Sequence, residues 1–267
     1  MLNIIEQLKW KREVIRLQVC SLLANIYILQ RTSSQSMRQV SNIFEVKATR
    51  ILRALLTNPA KEWTIRGLAS EVKISPGYAH AVILTLIQYG YVTRTVNYKI
   101  KVTNPTTLLR RWAAYHQYDK VNKFLEYYTF EREIDKFLKE LSKLKNHYAL
   151  TALVGAYLIA PHVRPVDVHI YISNEKDAET FAEQLRLQPI PRGGNVKFVI
   201  PYDEGVFYGR QEVSLSSGAT NKVNVVSTIQ LYVDLYNFPQ RGQEAAEHLY
   251  RHIIQKWGKE LVGEQIV

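Results

Sequence analysis

Two capped helices followed by a short hairpin are predicted between residues 58 and 104, and this stretch constrains the fold more than any other. Thr64 is a preferred N-cap residue, so we predict a helix over residues 65–72. Ser75 is a second N-cap, and Pro76 takes the first position of the next helix, where its missing N–H costs no hydrogen bond. The sequence therefore predicts two consecutive helices joined by a tight turn.

The second of these helices is predicted to end at Gly90, because glycine readily adopts the left-handed conformation that closes a helix. Apolar residues recur at spacings of three and four, which gives the helix one buried face. That face consists of Ala79, Val82, Ile83, Leu86 and Ile87. The opposite face is expected to expose Pro76, Gly77, Tyr78, His80, Ala81, Thr85 and Gln88.

After this helix the sequence alternates with a period of two on either side of Asn97, which is typical of a β-hairpin. The outward positions of the hairpin are expected to be basic, at Arg94, Lys99 and Lys101. With a first helix predicted over residues 41–57, the order of elements is that of a winged helix-turn-helix. In that fold the second helix enters the major groove of DNA and the hairpin lies on the phosphate backbone.

Positive charge is concentrated in the first half of the chain, whose formal net charge is +11 overall. Residues 1–146 hold 24 Lys and Arg against 11 Asp and Glu, whereas residues 147–267 hold 11 against 13. Because the basic half also contains the predicted helix-turn-helix, we expect a polyanionic partner, namely double-stranded DNA. In the first helix, Lys47, Arg50 and Arg53 are expected to point outward.

The predicted DNA contacts lie on the second helix, on the hairpin and on a further helix over residues 106–118. They are Ser75, Gly77, Tyr78, His80, Ala81, Thr85, Gln88, Arg94, Lys99, Lys101, Arg110 and Arg111. The first half of the second helix is expected to meet base edges, and Tyr78 to touch a phosphate. Two alternatives stay open: the hairpin lysines form an ordinary solvated face, or the winged helix binds only protein.

Residues 2–30 are predicted to form a long helix, for which two interpretations compete. A basic amphipathic helix can lie on a membrane surface. Apolar residues surround the second half of this helix, which favours packing against protein and a homodimer. Cys20 is the only cysteine, so we expect a buried thiol and no disulfide. No apolar run is long enough to span a membrane and no signal-peptide pattern is present, so we expect no membrane partner and a cytoplasmic location.

Strands and helices interleave in the second half, so the predicted fold class is α+β, with a winged helix-turn-helix in the N-terminal helical region and a mixed α/β C-terminal domain. Helices are predicted over residues 120–145, 149–160, 175–187 and 241–256 and after Ser227, strands over 166–172, 195–202, 205–215 and 223–226, and a loop over 216–221. The predicted domains are an N-terminal helix and loop (1–40), the winged helix-turn-helix (41–118), a helical linker (119–146) and the α/β domain (147–267).

One motif in the second half resembles that of nucleotidyltransferases, in which a glycine turn precedes two strand carboxylates that hold magnesium ions. The chain has Gly155-Ala156, and then Asp167 and His169. Ala156 is a poor phosphate contact, and the imidazole of His169 is a poor magnesium ligand, because magnesium prefers oxygen donors. We interpret the motif as an inactive relic or as chance. We expect no enzyme activity, no cofactor and no metal, and Asp167 paired with Arg164.

Other candidate sites are weaker. His248 and His252 stand four apart on a predicted helix, a spacing that suits a metal, but such surface pairs usually hold nothing. Asp203 and Glu204 precede a glycine turn and are expected to be solvated rather than catalytic.

Two stretches resemble bacterial and archaeal antitoxin-like regulators of the abortive-infection type IV toxin–antitoxin kind. One is EVKATRILRALLTNPAKEWTIRGLASEVKISPGYAHAVILTLIQYGYV with the downstream LLRRWAAY, and the other is VVSTIQLYVDLYNFPQRGQEAAEHLYRHII. The resemblance implies a DNA-binding N-terminal domain that represses its own promoter, with residues 75–88 as recognition helix. It also implies a C-terminal domain that neutralises, or once neutralised, a nucleotidyltransferase toxin. The C-terminal residues that it singles out are Gln230, Asp234, Arg241, Gly242 and Glu244.

Three hypotheses from different classes follow. The leading one is a DNA-binding transcriptional repressor whose C-terminal domain binds protein. The second is an antitoxin or interaction module that neutralises a nucleotidyltransferase toxin, and a neighbouring nucleotidyltransferase gene would favour it. The third is a nucleotidyltransferase-like enzyme, which nucleotide transfer dependent on Asp167 would favour.

Overall fold

The two capped helices and the hairpin are present in the structure, a computed structural model that describes residues 40–215 and 218–263. Helix α1 spans Val46–Thr57, α2 spans Ile65–Glu71 and α3 spans Pro76–Gln88. Strands β1 (Val92–Arg94) and β2 (Ile100–Val102) pair antiparallel. The helix predicted over residues 2–30, with Cys20, lies outside the described residues.

The predicted caps set the ends of α2 and α3. Thr64 Oγ1 accepts a hydrogen bond of 3.0 Å from the backbone N–H of Gly67, and Ser75 Oγ accepts one of 3.3 Å from that of Tyr78. Gly90, with φ of 72°, takes the left-handed conformation predicted for the end of α3. Local side-chain and backbone chemistry therefore sets the starts of both helices and the end of α3.

A second short pairing, made by Trp63, enlarges the hairpin. The backbone N–H of Trp63 donates to the carbonyl oxygen of Ile100 at 2.9 Å, and the N–H of Ile100 donates back at 2.7 Å. Helix α4 (Pro105–Tyr115) follows the hairpin. We call α1 to α4 with β1 and β2 the helical unit.

A mixed sheet of seven strands forms the second part, with strand order β6-β3-β7-β5-β4-β9-β8. Strands β4 and β5 are antiparallel, whereas β5 and β7, and β4 and β9, are parallel. The strands are β3 (Lys123–Tyr128), β4 (Tyr148–Thr151), β5 (Val168–Ile172), β6 (Gln188–Pro189), β7 (Val196–Ile200), β8 (Gln211–Leu215) and β9 (Gly218–Val225). The fold class is α+β, as predicted.

Six helices and a 3₁₀ helix accompany this sheet, and together we call them the sheet unit. They are α5 (Tyr118–Val121), α6 (Ile134–Leu141), α7 (Ala152–Ile159), α8 (Glu175–Gln184), the 3₁₀ helix Glu204–Phe207, α9 (Thr228–Tyr236) and α10 (Gly242–Gly263). All residues from 229 to 235 in α9 are buried, because α9 contacts α7 and α10 on one side and α1 and α4 on the other. Helix α9 therefore joins the two units. The predicted domain boundaries stay predictions.

Several predicted elements are wrong. The stretch 120–145 is not one helix, since it contains β3, which pairs antiparallel with β7. The helix predicted over residues 149–160 begins only at residue 152, after β4. Strand β9 begins inside the predicted loop over 216–221, and a 3₁₀ helix occupies the start of the predicted strand over 205–215. Within the described ranges, no helix is long and apolar enough to cross a membrane.

Candidate nucleic-acid interface and the contacts behind it

The outer side of α3 carries most of the residues predicted to contact DNA. Ser75, Gly77 and Gln88 are exposed, and Tyr78, His80 and Ala81 are partly exposed. Thr85 is the exception, because it is only 4% exposed and its hydroxyl donates to the carbonyl oxygen of Ala81 at 3.1 Å. The outward prediction for Thr85 is wrong, since a residue three positions after buried Val82 shares its side of the helix.

Two contacts hold the side chains of α3 in place. The Tyr78 hydroxyl donates a hydrogen bond to the carboxylate of Glu45, just before α1. Burial, together with this bond, raises the pKa of Tyr78, so the phenol stays protonated at neutral pH. His80 Nε2 lies 3.5 Å from Arg94 Nη2, which brings the hairpin against α3.

The three basic residues of the hairpin do not share one face. Arg94 pairs with Ile100, the neighbour of Lys101, so Arg94 and Lys101 lie on opposite faces of the ribbon. Arg94 is exposed and Lys101 is half-buried. Lys99 Nζ lies 3.7 Å from Glu62 Oε2, which partly neutralises its charge. Arg94 is therefore the hairpin cation best placed beside α3.

The two arginines predicted on α4 both contact other side chains. The guanidinium of Arg110 lies 4.4 Å from the ring centroid of Tyr250, and its Nη2 lies 3.9 Å from Glu247 Oε2. Arg111 Nη1 donates a hydrogen bond of 2.7 Å to the hydroxyl of Tyr91. Both arginines remain exposed, so these contacts orient them without covering them.

The prediction that Arg50 and Arg53 point outward is wrong, because both side chains of α1 face the sheet unit. Arg50 Nε donates to Asp203 Oδ1 at 2.9 Å, and Arg50 Nη2 donates to Oδ2 at 2.7 Å. The hydrogen bond to Asp203 raises the pKa of Arg50, although burial opposes it. Asp203 is 8% exposed and not solvated as predicted, because this bidentate pair covers it.

Arg53 is a completely buried cation, with 0% exposure. Its Nε donates to Gln230 Oε1 at 2.7 Å, its Nη1 to Thr49 Oγ1 at 2.9 Å and its Nη2 to the Tyr202 hydroxyl at 2.5 Å. Its guanidinium also lies 5.0 Å from the ring centroid of Trp112. Arg53 thus bonds to one residue of its own helix and to two of the sheet unit.

Gln230 links Arg53 to the carboxylate of Asp234, which is also 0% exposed. Its Oδ1 accepts from Gln230 Nε2 at 2.7 Å, and its Oδ2 accepts from Thr151 Oγ1 at 2.6 Å and from the Tyr171 hydroxyl at 3.2 Å. His116 Nε2 lies 3.2 Å from Oδ1, outside hydrogen-bond geometry. Burial and the charge of Asp234 raise the pKa of Tyr171, which keeps its hydroxyl a donor.

The residues that the resemblance singled out have structural roles at these places. Gln230 and Asp234 form the buried network, and Arg241 pairs with Glu244 through an Nε–Oε2 bond of 2.7 Å. A Cβ at Gly242 would lie 2.5 Å from Cβ of the preceding Phe238, so only glycine fits there. Analysis of the residues alone did not find the network, although two polar residues four apart in apolar α9 are a signal for one.

The glycine of the nucleotidyltransferase-like motif is packed inside the protein. Gly155 lies within α7, where an added Cβ would stand 2.6 Å from Leu231 Cδ2 and 3.2 Å from the carbonyl oxygen of Leu150. Helix α9 therefore covers the place where a phosphate would approach this glycine. Close helix packing accounts for Gly155 without a ligand.

Asp167 pairs with His169 and Lys197, not with Arg164 as predicted, because β5 and β7 are neighbours and bring residues 169 and 197 side by side. Asp167 Oδ2 lies 3.2 Å from His169 Nε2 and 2.9 Å from Lys197 Nζ. Burial alone would raise the pKa of Asp167, but hydrogen bonds and charges of these two partners outweigh burial and lower it to about 2. The three side chains line a cavity of 410 Å³.

In the part of the chain that the structure describes, no group of three or more His, Cys, Asp or Glu side chains is arranged to hold a metal ion. His248 stacks on His162, with ring centroids 4.4 Å apart. His162 Nε2 lies 3.1 Å from Glu244 Oε1. His248 therefore takes part in a surface cluster with His162 and the carboxylate of Glu244.

Comparison with known proteins gives one match. A family model described as transcriptional regulator, AbiEi antitoxin, type IV TA system matches residues 101–255, from β2 to α10. No curated protein and no solved structure matches the chain. The matched range contains the buried network around Asp234, whereas α1, α2 and α3 precede it. Because the match covers more than half of the chain, the protein belongs to this family of AbiEi antitoxin transcriptional regulators of type IV toxin–antitoxin systems.

Proposed function

We propose that the chain is a transcriptional repressor whose helical unit is a winged helix that binds double-stranded DNA. The main observation behind this proposal is one exposed surface, on which the N-terminal end of α3 and Arg94 of the hairpin lie side by side. The two are connected by a contact of 3.5 Å between Arg94 Nη2 and His80 Nε2. The first turn of α3 contains no acidic residue, so the positive end of the helix dipole is available to a phosphate or a base edge. The family supports a regulator.

On this surface the residues have different roles. Ser75, Gly77 and Ala81 lie where the backbone of α3 approaches the groove closely, and Gln88 is exposed at the far end of the helix. A glutamine side chain can bond to adenine through its amide. The Tyr78 hydroxyl donates its one proton to Glu45, so the predicted phosphate contact of Tyr78 requires this bond to break when DNA binds.

The test is a fluorescence anisotropy titration of the intact chain with two duplexes, the DNA upstream of its own gene and an unrelated sequence. We expect tighter binding of the upstream duplex, and affinity that falls linearly on a log–log plot against salt. Arg94→Ala should weaken both duplexes and reduce the salt slope by about 1, because one phosphate contact is lost. Gln88→Ala should weaken only the upstream duplex.

Arg132→Ala is the matched control for Arg94→Ala, because Arg132 is also exposed but belongs to the sheet unit. It should leave affinity and slope unchanged. Equal binding of both duplexes by the unaltered chain would contradict sequence-specific repression. Equal effects of the two arginine substitutions would show that the hairpin is not part of the interface.

A second role, as an antitoxin, is favoured by the family description, since the match spans the sheet unit. We propose that the sheet unit neutralises a nucleotidyltransferase toxin. Co-expression with the product of a neighbouring nucleotidyltransferase gene should restore growth that the toxin alone arrests. Persistent growth arrest, with the chain produced in folded form, would contradict this role. The homodimer stays a prediction.

We also propose that the sheet unit does not transfer nucleotides. Gly155 packs against Leu231, and Asp167 Oδ2 contacts the ammonium of Lys197, whose positive charge disfavours a magnesium ion on the same carboxylate. Incubation with labelled nucleoside triphosphates, magnesium and RNA should label nothing. Transfer that Asp167→Ala abolishes would contradict the proposal.

A further inference from the structure

Helix α1 lies between the surface proposed for DNA and the sheet unit. It contacts α2 and α3 on one side, and α9 and the 3₁₀ helix on the other. At its end, Trp257 Nε1 of α10 donates to the carbonyl oxygen of Leu56 at 3.2 Å. Nearby, the Tyr208 hydroxyl donates to Glu71 of α2 at 3.0 Å. Directional bonds therefore link the helical unit to the sheet unit at several points.

The central link is a relay of three buried residues, Arg53, Gln230 and Asp234. The guanidinium of Arg53 stays charged inside proteins, and a buried charge is stable only when it is paired and hydrogen-bonded. Here Arg53 reaches the carboxylate of Asp234 through the side-chain amide of Gln230, with both bonds 2.7 Å long. The amide of Gln230 accepts from Arg53 through its oxygen and donates to Asp234 through its nitrogen at the same time.

The hydrogen bonds of the relay constrain the position of α1 and also stabilise the charge of Arg53. Hydrogen bonds of 2.7 Å tolerate little change in distance or angle, so the relay fixes α1 relative to α9. Since α3 packs on α1, the relay also fixes the helix that would enter the groove. A general packing contact between apolar side chains would not define the position of α1 so narrowly.

We propose that Gln230 is a positioning residue for DNA recognition: through Arg53 it holds α1, and hence α3, in the orientation that sequence-specific binding requires. This inference rests on the proposed DNA-binding function. It makes DNA affinity depend on the sheet unit, because Gln230 and Asp234 belong to that unit and Arg53 belongs to the helical unit.

The test compares Gln230→Met with Gln243→Met, the same chemical change at an exposed position of α10. Gln230→Met should weaken binding of the upstream duplex by about tenfold, a typical coupling between two sites. Binding of the unrelated duplex and the salt slope should stay the same, because the phosphate contacts remain. Gln243→Met should change neither. Equal weakening of both duplexes, or no weakening, would overturn the proposal.

A second variant separates positioning from stability. Arg53→Met combined with Gln230→Met removes the buried cation and the amide together, and replacing buried charges by apolar groups of similar size often restores stability. We expect thermal stability to recover relative to Gln230→Met while affinity for the upstream duplex stays low. If affinity recovers together with stability, the relay has only a structural role and the proposal is wrong.

Hydrogen exchange of the free protein distinguishes failure of this inference from failure of the proposed function. Backbone amides of α3 should exchange faster in Gln230→Met than in the unaltered chain and in Gln243→Met. If the unaltered chain binds neither duplex, DNA binding is refuted, and faster exchange in α3 still supports the positioning role. Unchanged exchange in α3 would overturn it.

Discussion

Replacing Asp234 with leucine tests the energetic account of the buried network. The substitution keeps the approximate size of the side chain but removes the acceptor of hydrogen bonds from Thr151, Tyr171 and Gln230. It also removes the carboxylate to which Gln230 links Arg53, a cation with 0% exposure. We therefore expect Asp234→Leu to be strongly destabilising, although it makes the interior more apolar.

The expected magnitude follows from two losses. Breaking a direct buried charge pair costs about 3–5 kcal/mol, and this is the upper limit here, because Arg53 and Asp234 are joined only through Gln230. Unpaired buried donors add further cost, which partial rearrangement of the hydroxyl groups reduces. We expect a loss of about 4 kcal/mol, a large fraction of the roughly 5–15 kcal/mol that stabilises a typical domain. For a chain of this size, this corresponds to a decrease in Tm of about 10 °C.

The assay is urea unfolding followed by circular dichroism, for Asp234→Leu, Arg53→Met and the double variant. We expect the double variant to be more stable than the sum of the single effects predicts, with a coupling of about 2 kcal/mol. Asp119→Leu, at an exposed carboxylate, is the control and should change the free energy by less than about 0.5 kcal/mol. A loss below about 1 kcal/mol for Asp234→Leu, or strict additivity in the cycle, would refute the reasoning.

Three further predictions concern other sites. The pKa of Asp167 is lowered to about 2, because the effect of its ion-pair partners outweighs that of burial. Its ionised form therefore stabilises the fold above about pH 4. This contribution of about 2 kcal/mol disappears as the pH falls from 4 to 2. Asp167→Asn should lose less stability over that pH range in acid titrations of the free energy of unfolding, and an unchanged loss would contradict the pairing. Gly155→Ala should destabilise by about 1–3 kcal/mol in urea unfolding, since its Cβ would stand 2.6 Å from Leu231 Cδ2, and a neutral effect would show that the site has room. Thr85→Val should leave affinity for the upstream duplex unchanged in anisotropy titrations, whereas Gln88→Ala weakens it; a loss with Thr85→Val would place that hydroxyl at the interface.

The helices and hairpin between residues 58 and 104 were predictable because their signals are local. Thr64 and Ser75 cap the helices that directly follow them, and Gly90 ends a helix by its own backbone conformation. Each of these residues acts on neighbours within four positions of the sequence. Patterns read along the chain therefore suffice for this part of the fold.

The wrong predictions have the opposite cause, because the residues concerned depend on partners that are far away in the sequence. Residues 123–128 form a strand by pairing with residues 196–200 on one side and 188–189 on the other, and their charged, aromatic sequence does not show these pairings. Arg53 was expected to face solvent, as an isolated arginine on a helix usually does. Its partner Gln230 lies 177 positions later, so nothing near Arg53 indicated that it is buried.

The candidate site shows both cases. The exposed side of α3 followed from helical periodicity, apart from Thr85, which lies at the edge of the buried face. Predicting which way the basic residues of the hairpin point would have required the strand register. Predicting that His80 and Arg94 are close would have required the packing of the hairpin on α3. A sequence pattern describes each helix or strand separately, so it could not predict these contacts between elements.

The most direct test of the central claim is a comparison of amide hydrogen exchange in the intact chain with and without the upstream duplex. Our account predicts that DNA protects residues 75–88 and the hairpin residues 92–102, while the strands of the sheet unit keep the exchange rates of the free protein. Protection confined to the sheet unit, with α3 and the hairpin unchanged by a duplex that binds, would contradict it.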